Sequence, residues 1–169
     1  MVEIKKATEY QVLDCMFTIR ESHKALIEKE QFSARQILPS FLQLAQEQQE
    51  DSLFYAVKGS IVVGTMTLIS QTINDFKNVS INWNDKISPF LMIKRVAVHP
   101  AWQRKGIGRE LIAYAELYAQ QTGYKTIKIE IPEGFKLLED FYQVNGFSNR
   151  GTYTIERSPY HITVLEKKV

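Results

Sequence analysis

The sequence predicts an α/β fold: a mixed, mostly antiparallel sheet of six to seven strands flanked by about four helices. Three observations predict it. The apolar period shortens from three-to-four residues to two after Ser52. The run FLMIKRVAV at residues 90–98 is stopped by His99-Pro100. Two helical stretches each close on a glycine, Gly123 and Gly146, where a left-handed cap belongs. With 169 residues the chain is the size of one domain, residues 1–169, without repeat or linker.

The elements follow in order. Residues 2–6 alternate as a short strand. Residues 9–30 read as a helix, with Leu13, Met16, Phe17, Arg20 and Lys24 at three- and four-residue steps and Thr8 as its cap. Residues 32–50 read as a second helical region, capped by Ser33 and broken or restarted by Pro39. Leu42, Leu44 and Ala45 form its apolar face, and residues 46–51 a solvated end. Residues 53–57 and 61–70 are strands joined by the tight turn Lys58-Gly59-Ser60, and Gly64 marks a bulge or a close approach. Residues 74–88 form a long polar loop whose Phe76, Ile81 and Trp83 are expected to pack against neighbours. Its Asn78-Val79-Ser80 sequon reads as a chance match.

After the strand at 90–98 comes a helix at 105–122, with Ile107, Leu111, Ala115 and Tyr118 on one face. A strand at 125–131, a helix at 135–145 and strands at 147–157 and 161–166 complete the chain, with Ser158-Pro159 between the last two. The final strand, carrying Ile162, Val164 and Leu165, is expected at a sheet edge, free to pair with a second copy or to be covered within the monomer.

Composition narrows the function. Lys and Arg number 21 against 19 Asp and Glu, too even a balance to draw nucleic acid or an anionic membrane by charge. Cys15 is the single cysteine, which excludes an internal disulfide framework and a Cys-rich zinc site. No apolar run approaches the roughly 20 residues of a membrane span. These features, with no export signal at the start of the chain, point to the cytoplasm.

The chemistry concentrates in residues 95–109, RVAVHPAWQRKGIGR. This is a strand, a basic turn with two glycines, and a helix start. The first-turn amides of a helix carry partial positive charge and lack partners. Glycines let a ligand approach the backbone. Such a turn cradles phosphate, and Arg104, Lys105 and Arg109 add positive charge around it. A Walker A loop is absent, and the third glycine of a dinucleotide fingerprint is replaced by Leu111, which argues against a general nucleotide-phosphate binder.

The pattern Q-x-x-G-x-G, formed by Gln103, Gly106 and Gly108 directly after V-A-V-H-P, resembles the coenzyme A loop of the GNAT superfamily of N-acetyltransferases. A second match follows at residues 138–147, LEDFYQVNGF, which resembles the aromatic-Tyr-x-x-x-Gly-Phe helix end of that family. The order of predicted elements is similar from end to end.

The resemblance implies acetyl-CoA as co-substrate and no metal. By position, the backbone of Val96, Ala97 and Val98 would hold the pantetheine arm, the valine side chains lying in the core, and an amide near Val98 would polarise the thioester carbonyl. Residues Arg104, Lys105, Gly106, Ile107, Gly108 and Arg109 would hold the pyrophosphate, with Gln103 shaping the turn. Tyr142 aligns with the family's general acid, its phenol protonated at neutral pH. Packing beneath its helix, with a locally satisfied hydroxyl, is the alternative for that residue. Glu130 is the candidate base, although it and Lys128 also read as solvated cross-strand charges. Glu133 and His99 are weaker candidates, and water can carry the proton without a dedicated base. The chain departs from the family at Phe135, where many members carry an Asn that supports the pantetheine region.

The acceptor would lie against residues 17–32, 74–88 and 153–161, whose acids are Glu21, Glu28, Glu30, Asp75, Asp85 and Glu156. They do not form a clean acidic cluster, so a small-molecule amine is favoured over a protein tail. Two alternatives stay open: a peptide or protein N-acetyltransferase, and a non-catalytic acyl-CoA-binding module. Dimers are common in the family, so a homodimer is the expected assembly, with neither nucleic acid nor membrane as partner.

Overall fold

The computed structural model describes residues 2–30, 38–76, 81–84, 88–154 and 161–169. Its elements are β1 (Glu3–Lys6), α1 (Val12–Glu30), α2 (Phe41–Gln49), β2 (Leu53–Lys58), β3 (Ile61–Gln71), β4 (Phe90–Val98), α3 (Ile107–Thr122), β5 (Thr126–Pro132), α4 (Lys136–Val144), β6 (Ser148–Thr154) and β7 (His161–Lys168). The strands follow the order β1-β2-β3-β4-β5-β7-β6 in a seven-stranded sheet. The expected α/β class and mostly antiparallel sheet are therefore present. Among the described residues, no helix is long and apolar enough to cross a membrane. Ser33, Asn78-Val79-Ser80, Asp85, Glu156 and Ser158-Pro159 lie outside the described residues. The chain divides into two compact units, Met1–Leu68 with Lys94–Ala115, and Ile69–Ile93 with Glu116–Val169.

In the first unit, β1 pairs with β2 and β2 with β3, both antiparallel. The core is Ala7, Val12, Cys15, Ile19, Leu44, Leu53 and Ala97. Each large aliphatic side chain buried there contributes roughly 1.5–3 kcal/mol. The helix face predicted for α1 is rotated. Leu13 and Phe17 are exposed, and Val12, Cys15 and Ile19 turn inward, because the inward stripe includes the small thiol that the pattern reading passed over. A short 3-10 turn at Glu9–Gln11 precedes α1, and Gln11 Oε1 accepts from Thr8 N at 3.1 Å and Thr8 Oγ1 at 2.7 Å.

Helix α2 starts after Pro39, as the sequence indicates, and its cap is Ser40. Gln43 N donates to Ser40 Oγ at 3.2 Å, and Ser40 N to Gln43 Oε1 at 2.8 Å, a reciprocal capping box. Leu42 faces solvent, contrary to expectation, while Leu44 is buried. The end of α2 is not wholly solvated either, because Glu47 turns inward. Gly64 serves both predicted purposes. The β2–β3 register shifts between Ala56 and Val57, beside the Ala56↔Gly64 pair. A Cβ at Gly64 would meet Ala97 O and Leu111 Cδ1 at 3.2 Å.

In the second unit, the first part of β4 runs parallel to β5, in register Leu91↔Ile127 to Ile93↔Ile129. Strand β7 pairs antiparallel with both β5 and β6. The C-terminal strand is therefore interior, not an edge, and Val164 and Leu165 are fully buried. Covering within the chain wins because β6 returns alongside it. Phe76, Ile81 and Trp83 pack with Phe90, Met92 and Val164, as expected of the apolar residues in the long loop. Asn82 N donates to Arg150 O and Asn84 N to Glu166 Oε2, each at 3.0 Å, tying that segment to β6 and β7.

Lys128 is not a solvated charge: it is fully buried, its Nζ 3.8 Å from the Trp83 ring centroid and 3.9 Å from that of Phe90. Helix ends behave as the glycines predict, with Gly123 at φ 84° and Gly146 at φ 87°.

Candidate functional site

The end of β4 in the first unit is not a plain strand. Arg95 has φ 53°, the left-handed region, inside an otherwise extended run. For a non-glycine residue this costs about 1–3 kcal/mol and persists only where surroundings hold it. Its Nη1 donates to Glu47 Oε1. Past this point Ala97 is buried, while Val96 and Val98 are only half-buried. The expected core valines are thus not core; Ala97 takes that place, because the residue in left-handed conformation resets which side chains face inward.

The strand exit is shaped by His99 and Gln103. His99 N donates to Val63 O at 3.0 Å, and Ala101 N to His99 Nδ1 at 3.3 Å. The imidazole stacks on Phe17, centroids 5.8 Å apart. Gln103 Nε2 donates to Val98 O at 3.1 Å, and its Oε1 accepts from Lys29 Nζ at 3.0 Å. Gln103 thereby links the turn back to the end of β4.

The loop then opens. Arg104 has φ 62° and Gly106 φ 85°, and a Cβ at Gly106 would meet nothing within 4 Å. Among the described residues, the first amide after Gln103 with a carbonyl partner is Glu110 N, which reaches Gly106 O at 3.1 Å. Among the described residues, the amides of Arg104, Lys105, Gly106, Ile107, Gly108 and Arg109, at the N-terminus of the 16-residue α3, have no such bond. Ile107 is buried and anchors the helix, while Arg104, Lys105 and Arg109 are exposed. Lys105 Nζ donates to Ala101 O at 3.0 Å and lies 4.6 Å from the Trp102 ring centroid. Amides without a carbonyl partner, partial positive charge and exposed cations fit the pyrophosphate of a coenzyme A thioester.

The other two candidates belong to the second unit. Tyr142 is buried in α4, edge-on to Phe141 at 5.0 Å and to Phe147 at 5.6 Å. Burial pushes its pKa above the ordinary phenol value, so it keeps its proton. Glu130 is half-buried on β5 and accepts a hydrogen bond from Tyr153 Oη. Burial first, then that bond and the charge of Glu130, push the Tyr153 phenol upward. Phe135, immediately before α4, is buried.

The structure thus gathers Val96, Ala97, Val98 and residues 103–109 around one strand-to-helix turn, and gives Glu130 and Tyr142 separate neighbours in the other unit. Sequence reasoning missed Arg95, Glu47, Lys29 and Tyr153. Alternation along β6 could have placed Tyr153 on a face; nothing local signals a left-handed arginine.

A model of the GNAT acetyltransferase domain matches residues 49–149. A search of the curated proteins gives no match. Among solved structures, the chain is similar to the PaiA N-acetyltransferase of Thermoplasma acidophilum in complex with coenzyme A, at TM-score 0.72 and 19% identity over 100% of this chain and 99% of that one. It is similar to a GNAT-family acetyltransferase of Streptococcus agalactiae, at TM-score 0.76 and 12% identity over 99% and 95%. It also matches the ribosomal-protein-S18-alanine N-acetyltransferase of Escherichia coli, at TM-score 0.70 and 15% identity over 100% and 94%. These likenesses share the fold, and the domain match spans more than half of the sequence: the chain belongs to the GNAT acetyltransferase family.

Proposed function

We propose that the protein is an N-acetyltransferase that moves the acetyl group of acetyl-CoA to a primary amine, favoured as that of a small molecule, by direct attack on the thioester. The observation that carries this reading is the row of amides at residues 104–109 without a carbonyl partner among the described residues, beside exposed Arg104 and Arg109. They take the pyrophosphate, while the backbone of Val96, Ala97 and Val98 takes the pantetheine arm.

In the reaction the neutral amine nitrogen bonds to the thioester carbon, the C–S bond breaks, and the thiolate leaves. The carbonyl oxygen gathers negative charge, which an amide near Val98 is suited to stabilise. Tyr142 offers the proton that the thiolate takes; its buried phenol holds that proton across the neutral range. Glu130 accepts the proton that the attacking amine loses, its carboxylate oriented by Tyr153. The acceptor is the open variable. One similar fold belongs to an enzyme named for a protein alanine and another to one named for phosphinothricin, so the family architecture is compatible with both classes.

The test is release of coenzyme A thiol from acetyl-CoA against polyamines, amino acids, aminoglycosides and short peptides. Amine-dependent release that falls about 100-fold in Tyr142→Phe supports the transferase and its acid. No release with any amine, in protein that acetyl-CoA nonetheless stabilises, leaves a binding module instead.

A further inference from the structure

We propose that the Glu47–Arg95 ion pair sets affinity for the acyl-CoA substrate by holding Arg95 left-handed and so aiming the last three residues of β4. The inference rests on the acetyltransferase reading above and identifies the positioning residues for its pantetheine-binding edge.

A left-handed arginine within a strand needs a restraint. The restraint here is the guanidinium on Glu47, with side-chain exposures of only 23% for Arg95 and 11% for Glu47. Glu47 cannot follow Arg95 if it moves, because its own contacts come from two further elements. Its Oε2 accepts from Thr67 Oγ1 of β3 at 2.8 Å, and its carbonyl accepts from Ser52 N and Ser52 Oγ, each at 2.9 Å. Both carboxylate oxygens are thereby committed, one to the strand that must be bent and one to its anchor.

The far end of the segment is tied as well. His99 N is bound to Val63 O, and Val98 O to Gln103 Nε2. Val96, Ala97 and Val98 therefore run between two fixed points. At the first, the left-handed turn decides which way their N–H and C=O groups face. An extended Arg95 would flip that alternation by one residue and present the opposite groups. The pair spans 48 residues of sequence, so it acts as a tertiary clamp and is not part of a local turn.

The experiment compares acetyl-CoA affinity, KM and kcat in the parent, Glu47→Gln, Arg95→Lys and Arg95→Gly, with circular dichroism and thermal midpoint recorded for each. Glycine suits φ 53° without strain, so Arg95→Gly removes the clamp and leaves the turn permitted. Glu47→Gln and Arg95→Gly should each bind acetyl-CoA roughly tenfold more weakly, with the loss on KM and not on kcat, and Arg95→Lys should recover part of it. A pair that serves stability alone would lower the thermal midpoint and leave the affinity of the folded variants at the parent value, which overturns the proposal. If Glu47→Gln does not fold, Arg95→Gly decides; failure of both to fold makes the pair a folding requirement and also overturns it. A parent that acetyl-CoA does not stabilise sinks the acetyltransferase reading itself, an outcome visible before any variant is measured.

Discussion

Lys128 Nζ stands 3.5 Å from Glu166 Oε1, and neither side chain reaches solvent. The carboxylate is shared: Arg150 Nε lies 3.1 Å from its Oε2, which also accepts from Asn84 N. A buried charge is tolerated when its partners offset its desolvation, and losing one partner typically costs about 3–5 kcal/mol. The two ends of this pair are unequal. Glu166→Gln removes one counter-charge from both Lys128 and Arg150 and should lose about 3–5 kcal/mol. Lys128→Met leaves Glu166 with Arg150 and Asn84, so its loss should be smaller. Urea denaturation of both variants checks the order; equal losses would contradict the sharing.

Gly64 is packed where no side chain has room. A methyl there would press on Ala97 O, on Leu111 Cδ1 and on Ile107 Cγ2, at 3.2, 3.2 and 3.3 Å. Two of these neighbours are side-chain atoms of α3 that can yield by a few tenths of an ångström, and the third is a backbone oxygen, which yields less. Gly64→Ala should destabilise by about 1–3 kcal/mol, read as a lower urea midpoint.

Gly106 presents the opposite case. Its φ of 85° strains any side chain, yet a Cβ would meet nothing within 4 Å. Gly106→Ala should cost stability only about 1–2 kcal/mol. Its effect on acetyl-CoA binding should be larger, because the substitution falls within the loop proposed to hold the pyrophosphate. Calorimetric titration beside thermal denaturation separates the two effects.

Cys15 supplies a pH signature. Burial pushes its thiol from 9.0 to about 11, against a smaller opposing contribution from a Thr65 hydrogen bond. The unfolded chain therefore loses this proton before the folded one does. The associated stability is complete below about pH 9 and declines as pH rises towards 11, by up to roughly 3 kcal/mol. Tyr142 and Tyr153 are shifted in the same direction and extend the decline above pH 10. Urea midpoints from pH 8 to 11 should fall in the parent and fall less steeply in Cys15→Ala. Ellman's reagent should leave the folded thiol unmodified at pH 8.

The sequence by itself determined the order of elements, the strand–turn–helix of the coenzyme loop and the glycine-closed helix ends. These features are local. A two-residue period, an apolar helix stripe or a glycine after a helix carries its meaning within a few residues, so Gly123 and Gly146 take the positive φ their positions imply. Only the tertiary structure decided which stripe of α1 faces inward, that β7 is interior, and that Lys128 is buried. Each depends on a partner distant in sequence: Cys15 packs with Leu53, β7 lies between β5 and β6, and Lys128 meets Glu166. The left-handed Arg95 belongs with these, because an arginine reads locally as an ordinary strand residue. What holds it in that conformation is Glu47, 48 residues earlier in the chain.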